Sequence, residues 1–180
     1  TVGIDNFKSL NIDKNKKFKF IHKTAENFLS NNKSKFDLIL FSDVLEHIYN
    51  PWKILKDSKS SFSKNGLGLI SIPNFQNLNY IRALINGNFY YSKTGLFDET
   101  HIRFFSINTI LEYLKNLNFK IIKTGWREDT RLNNLKEVVL KKLNTKDSIY
   151  IEFEEIKIQI KKEDVEKYFS QQILICFSNG

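Results

Sequence analysis

Cysteine is almost absent from this 180-residue chain: Cys176 is the single one, and methionine does not occur at all. One thiol excludes an internal disulfide framework and any cysteine-based metal centre. It sits in Ile173-Leu174-Ile175-Cys176-Phe177, an apolar run in which a thiol packs as a small hydrophobe. Proline is nearly as scarce, with only Pro51 and Pro73, so each marks a boundary. Seven glycines are too few for a fibrous or linker-like chain. No apolar run approaches the roughly 18 residues of a membrane span. The first residues do not read as a secretory leader, and a cytoplasmic location is expected.

What is present points to a packed core. Aromatic residues make up 14% of the chain, 16 of them phenylalanine, so it has enough bulk to bury one domain's interior. The net charge of +8 comes mainly from lysine, with Arg82, Arg103, Arg127 and Arg131 the only arginines. The lysines are dispersed and not interleaved with aromatics, the pattern of a solvated surface. A nucleic-acid partner is therefore disfavoured, though it stays as a rival reading.

Strand and helix patterns alternate. Val2 to Asp5, Phe18 to His22, Phe36 to Phe41, Leu67 to Ile72, Phe119 to Thr124 and Gln172 to Phe177 read as strands. Asn50 and Pro51 start a helix expected to reach about Phe62, with Ile54, Leu55, Ser58 and Phe62 on one face and Asn65-Gly66 as its stop. Helices are also expected over Leu78 to Ile85, after Ser106, over Leu132 to Leu143 and over Glu163 to Phe169. Ile149 to Ile160 alternates in a way that fits a strand or a charged helix. Strands alternating with helices imply an α/β fold with a mostly parallel sheet. We expect one domain over 1–180: a core of 1–126 and 170–178, an aromatic lid or substrate loop over 87–105, and an insertion over 127–168 that resembles nothing identifiable.

The densest signal is FDLILFSDVLEHIYNPW, residues 36 to 52. Its continuous apolar run predicts a parallel strand covered on both faces. The polar cluster follows at the strand's carboxyl end, where open α/β sheets place ligands. The D-x-L-E-H run followed by x-x-P resembles the fourth strand and following loop of class I S-adenosylmethionine-dependent methyltransferases. A second segment, DETHIRFFS at 98 to 106, is similar to the D-x-x-H-x-R-x-F-S/T run of bacterial methyltransferases often found with glycan or surface-polymer biosynthesis.

The resemblance implies a Rossmann-like methyltransferase sheet, mostly parallel with an antiparallel C-terminal strand. It covers about Thr1 to Trp126 well and the last strand loosely. The family's opening strand and its D-x-G-x-G loop are not in this sequence. Val2-Gly3-Ile4-Asp5 is similar to the family's second strand, so a segment ahead of Thr1 is expected. Without the first strand, the resemblance implies a gap in the sheet between the second and fourth strands.

Candidate site residues follow from the resemblance, each against a plainer role. For S-adenosylmethionine, Asp5 would accept from the ribose diol or be a turn aspartate. Thr24 and Ala25 would read the adenine edge, although Thr24 replaces the family's aspartate and suits a helix cap. Ser42, Asp43 and Val44 would lie against the sulfonium end. Glu46 and His47 would open the loop beside the reacting methyl. For chemistry, Asp98 and His101 are close enough in sequence to pair, which would make His101 a general base on an acceptor hydroxyl and His47 a lesser candidate. Asp98, His101 and Arg103 could equally staple a loop. Asn74, Tyr90, Tyr91 and Arg103 are the expected substrate-binding residues. No metal site is expected.

The expected activity is methyl transfer to a small molecule or sugar, on oxygen in preference to nitrogen. The rivals are a catalytically silent methyltransferase-like scaffold and a nucleic-acid methyltransferase or binder. Self-association into a homo-oligomer stays open.

Overall fold

The computed structural model describes residues 2–5, 19–153 and 156–179. Phe18, in a run expected to be a strand, and Glu154, in the run that fits a strand or a charged helix, lie outside the described residues. The centre is a four-stranded sheet in the order β3-β4-β8-β5. Strand β3 (Phe36–Ser42) runs parallel to β4 (Phe62–Pro73), and β8 (Ser170–Asn179) lies antiparallel between β4 and β5 (Phe119–Glu128). Strands β1 (Val2–Asp5) and β2 (Lys19–His22) pair in parallel as a separate two-stranded sheet, followed by the short helix α1 (Ala25–Leu29).

Two amphipathic helices cover one face of the central sheet. Helix α2 (Pro51–Ser58) starts where the Asn50 side chain accepts from the Lys53 amide at 3.0 Å, with Pro51 in the first turn, where its missing N–H is harmless. Helix α4 (Ile107–Asn116) is capped by Ser106, whose hydroxyl accepts from the Thr109 amide at 3.2 Å. Ile54, Leu55, Ile110 and Leu114 from these helices are fully buried against Ile70, Ile72, Ile173, Ile175 and Phe177. Each such side chain contributes about 1.5–3 kcal/mol of transfer free energy.

The opposite face differs from expectation. Strand side chains alternate with period two, so the partners of the buried set point the other way. There Leu38 is 50% and Leu40 60% exposed, beside Leu69 and Leu174. The continuous apolar run of β3 predicts cover on both faces, but among the described residues helices pack on only one. A shallow groove of about 520 Å³ runs along this open apolar face.

Two element boundaries also move. The chain leaves α2 through a short 3-10 turn, Lys59–Ser61, and Phe62 already pairs with Phe36, so Asn65-Gly66 lies inside β4 and not at a helix end. A Cβ on Gly66 would come within 2.8 Å of the Phe36 carbonyl oxygen, so this glycine permits a close strand approach. Strands β6 (Ser148–Phe153) and β7 (Ile156–Lys161) pair as an antiparallel hairpin, so the segment left open between strand and helix is strand in both described parts. Ile149 pairs with Ile160 and Ile151 with Ile158, so the inward set is odd-numbered in β6 and even-numbered in β7.

The expected insertion has a core of its own. Helix α5 (Asn133–Leu143), the hairpin and α6 (Val165–Phe169) bury Leu132, Val139, Leu143, Ile149, Ile160, Val165 and Phe169 against Leu78 of α3 (Leu78–Ile85). No helix among the described residues is long and apolar enough to cross a membrane.

Candidate functional site

Strand β3 ends in a backbone reversal. Asp43 takes a left-handed conformation, φ 50°, and its amide donates to the Ser71 carbonyl of β4 at 3.0 Å. Aspartate tolerates this region better than most residues. The reversal leads into a one-turn 3-10 helix, Leu45–His47, in which Leu45 and Glu46 are buried and His47 faces out. The Glu46 carbonyl accepts from the amides of Ile102 at 2.9 Å and Arg103 at 3.1 Å, tying this turn to the segment that carries His101. The two segments line a cleft of about 310 Å³ with Asp43, Glu46, His47, Asp98 and His101 on its wall.

Both histidines are held the same way. His47 Nδ1 lies 3.2 Å from the Thr100 carbonyl oxygen, and His101 Nδ1 lies 2.9 Å from that of Leu96. A carbonyl only accepts, so each Nδ1 carries the proton and, in the neutral ring, each Nε2 keeps its lone pair. The rings meet edge to face with centroids 4.8 Å apart. Beside them Glu46 is 1% exposed, and neither carboxylate oxygen has a hydrogen-bond partner among the described residues. Burial pushes its pKa up to about 7; the dipole of its own backbone amide opposes this without forming a hydrogen bond, and the Asp43 charge adds to it.

The expected Asp98–His101 side-chain pair does not form. The Asp98 carboxylate accepts from the Thr100 amide at 2.9 Å and the Thr100 hydroxyl at 2.5 Å, while His101 takes the Leu96 carbonyl. Those Thr100 bonds, with the histidine pair nearby, hold the Asp98 pKa below the usual carboxylate range. A carboxylate finds donors more cheaply two residues away than across a loop.

The four expected substrate contacts also lie elsewhere. Asn74 is fully buried, and its amide donates to the Lys167 and Ser170 carbonyls at 2.8 Å each, clamping the start of β8. Tyr90 and Tyr91 are 74% and 66% exposed and do not line the cleft. Arg103 caps the Tyr49 carbonyl through Nε at 3.0 Å and stacks over the Tyr49 ring, which makes it a loop staple.

The expected cofactor residues fall at the carboxyl ends of parallel strands. Asp5 ends β1 and pairs in register with His22 of β2; its side chain lies outside the described residues. Thr24 caps α1, its hydroxyl accepting from the Asn27 amide at 3.3 Å, and Ala25 opens that helix. Ser42, Asp43 and Val44 follow β3, and Asp43 accepts from the Gln172 amide nitrogen at 2.6 Å. These groups suit the adenosine and sulfonium parts of S-adenosylmethionine. Among the described residues no glycine-rich cradle accompanies them: Gly66 and Gly68 pack against Phe62 and Phe177, and Gly87 and Gly95 take positive φ. The residue that sequence reasoning undervalued is Glu46, because nothing local in Leu45-Glu46-His47 signals that its carboxylate is buried without a donor.

Comparison with known proteins agrees with this arrangement. A sequence model described as a methyltransferase domain matches residues 2–124. A ubiquinone biosynthesis O-methyltransferase from Pelagibacter ubique is 27% identical over 77% of this chain. The chain spans 65% of that protein's length. Among solved structures, a SAM-dependent methyltransferase from Archaeoglobus fulgidus shares the fold with a TM-score of 0.63 at 20% identity, covering 98% of this chain and 75% of that one. One from Thermotoga maritima gives a TM-score of 0.58 at 16% identity, covering 99% and 72%. With more than half of the chain matched by the family model, this protein belongs to the methyltransferase-domain family and has its Rossmann-like fold.

Proposed function

We propose that this protein takes part in S-adenosylmethionine-dependent methyl transfer to a hydroxyl oxygen of a small molecule or sugar. The observation that carries the reading is the cleft at the end of β3, where His47 and His101 both have Nδ1 committed to a carbonyl. Each Nε2 is then a ready proton acceptor beside the cofactor-facing turn. Asp5 holds the ribose, Thr24 and Ala25 border the adenine, and Ser42 to Val44 border the sulfonium. Because S-adenosylmethionine brings an already activated methyl, the protein's tasks are alignment and exclusion of water.

In the transfer, the acceptor oxygen forms a bond to the methyl carbon as the carbon–sulfur bond breaks and its electron pair returns to sulfur. The hydroxyl proton passes to His101 Nε2. An amine would need no such help once neutral, so a buried base beside the turn favours oxygen. The O-methyltransferase relative adds support for that choice. A sugar or surface-glycan acceptor rests on the similarity of the 98–106 segment alone.

The test is isothermal titration of S-adenosylhomocysteine into the folded protein, followed by radiolabelled methyl transfer to matched hydroxyl and amine acceptors. Saturable binding, weakened at least about tenfold by Asp5→Ala, is expected from loss of a charge-assisted ribose contact. His101→Gln is expected to lower kcat by about 10²-fold or more. No binding by folded protein would leave a silent scaffold instead.

A further inference from the structure

We propose that Glu46, His47 and His101 form a binding site for one divalent transition-metal ion of the zinc class, with a coordination position open to the cleft. Occupancy of this site is independent of the reading above; only the use of the open position rests on it.

Three observations carry the inference. First, one ligand atom from each residue lies within 4.8 Å of the others. Bonds of about 2.1 Å around a tetrahedral ion hold ligands roughly 3.4 Å apart, so side-chain rotations of about 1 Å close the site. Second, both imidazoles are already oriented. Each donates Nδ1–H to a backbone carbonyl, the outer hydrogen bond that fixes a metal-binding ring and leaves Nε2 as the ligand atom. Third, the Glu46 carboxylate is 1% exposed and both of its oxygens are unpartnered among the described residues. A buried carboxylate without a donor is costly to desolvate, and a cation is the partner that compensates it.

The donor set selects the ion. Two imidazoles and one carboxylate suit Zn²⁺, Co²⁺, Fe²⁺ or Ni²⁺, whereas Mg²⁺ and Ca²⁺ favour all-oxygen shells. Three protein ligands beside an open cleft match the arrangement of reactive sites, not closed structural ones. Asp43 and Asp98 line the same cleft, so it is locally acidic in a chain whose net charge is +8. The two chain segments that supply the ligands are fixed to each other by the bonds from the Ile102 and Arg103 amides to the Glu46 carbonyl.

The open position faces the space where an acceptor oxygen would sit. An oxygen bound to a divalent cation ionises far more readily than a free hydroxyl. With an ion present, the imidazoles serve as ligands and activation of the acceptor passes to the cation. Only the destination of the proton changes: solvent in the cleft in place of His101 Nε2.

The experiment titrates Co²⁺ into untagged, chelator-treated protein, read by visible d–d absorption, with Zn²⁺ competition by calorimetry. One saturable equivalent is expected. Glu46→Gln and His101→Gln should each weaken binding at least about tenfold, and His22→Gln, outside the cleft, should leave it unchanged. Circular dichroism melts accompany each variant; should His101→Gln unfold, the exposed His47→Gln carries the same test. No saturable equivalent, or unchanged affinity in Glu46→Gln, overturns the inference. S-adenosylhomocysteine binding on the same metal-free samples separates the two readings. Cofactor binding without Co²⁺ binding overturns only the metal site, and the reverse outcome overturns only the cofactor reading.

Discussion

Glu46 and Asp129 are each 1% exposed, yet their surroundings are opposite. Asp129 follows β5, caps the 3-10 turn Thr130–Leu132 and is fully served. Its Oδ1 accepts from the Arg131 amide at 3.1 Å and from Arg131 Nε at 2.7 Å, and its Oδ2 from Arg131 Nη2 at 2.7 Å and Asn77 Nδ2 at 3.0 Å. Burial pushes its pKa up, but the Arg131 hydrogen bonds and charge, with Asn77, outweigh it and bring the pKa below the ordinary carboxylate range. Glu46 has no donor among the described residues, and burial prevails. The contrast separates two uses of a buried acid. Asp129 locks the second core to the sheet, because Asn77 also donates to the Ser170 carbonyl at the head of β8. Glu46, with its carboxylate on the cleft wall, is the group that the proposed cation site uses.

Asp129→Asn should produce the largest loss of stability, about 2–3 kcal/mol, since it removes a bidentate charged pair and leaves buried amide donors mismatched. Urea unfolding measures this; a loss under about 0.5 kcal/mol would break the contrast. The acid side of the stability profile should show the same group. The folded pKa of Asp129 lies below its unfolded value of about 3.9, so its contribution is complete above that value and is lost as pH falls through the folded pKa. Asp129→Asn should flatten that limb in midpoints measured from pH 6 downward. Asn77→Ala removes one donor from Asp129 and one from Ser170 and opens the cap of α3, where Asn77 Oδ1 accepts from the Asn79 amide at 2.9 Å. About 1–2 kcal/mol is expected by thermal unfolding. Smallest of all should be Glu46→Gln, within about 1 kcal/mol of the parent, because no native hydrogen bond is lost. Its methyl transfer and cation binding should nevertheless fall. A Glu46→Gln variant as unstable as Asp129→Asn would show that Glu46 has a structural role.

Much of the frame was readable from local chemistry. Asn50-Pro51 and Ser106 mark helix starts because their side chains answer amides three residues on, within the reach of sequence pattern. Alternating strand and helix, and the reversal at Ser42-Asp43, follow from the apolar run and the polar turn. The misread boundary at Asn65-Gly66 has a different origin: a glycine that ends helices elsewhere admits the Phe36 carbonyl here, and that neighbour is 30 residues away. The 149–160 segment reads two ways because its inward parity differs between β6 and β7, and periodicity alone does not locate the change.

In the site, residue identity was legible and pairing was not. His47 and His101 both line the cleft, but their partners are backbone carbonyls, which no side-chain spacing reveals. Asn74 and Arg103 look like binding residues in a one-dimensional reading, whereas their donors are taken by carbonyls of Lys167, Ser170 and Tyr49.

By itself the sequence determined the α/β order, the helix caps, the family, and the kinds of chemical group available, since these depend on contacts a few residues apart or on linear motifs. Only the tertiary structure decided which buried acid is satisfied and which is not. Donors come to Asp129 from its neighbour Arg131 and from Asn77, 52 residues back in the chain, while the walls around Glu46 offer it none. Burial and hydrogen-bond supply are properties of three-dimensional neighbours, and at Glu46 they leave an ordinary glutamate buried with a raised pKa and no donor among the described residues.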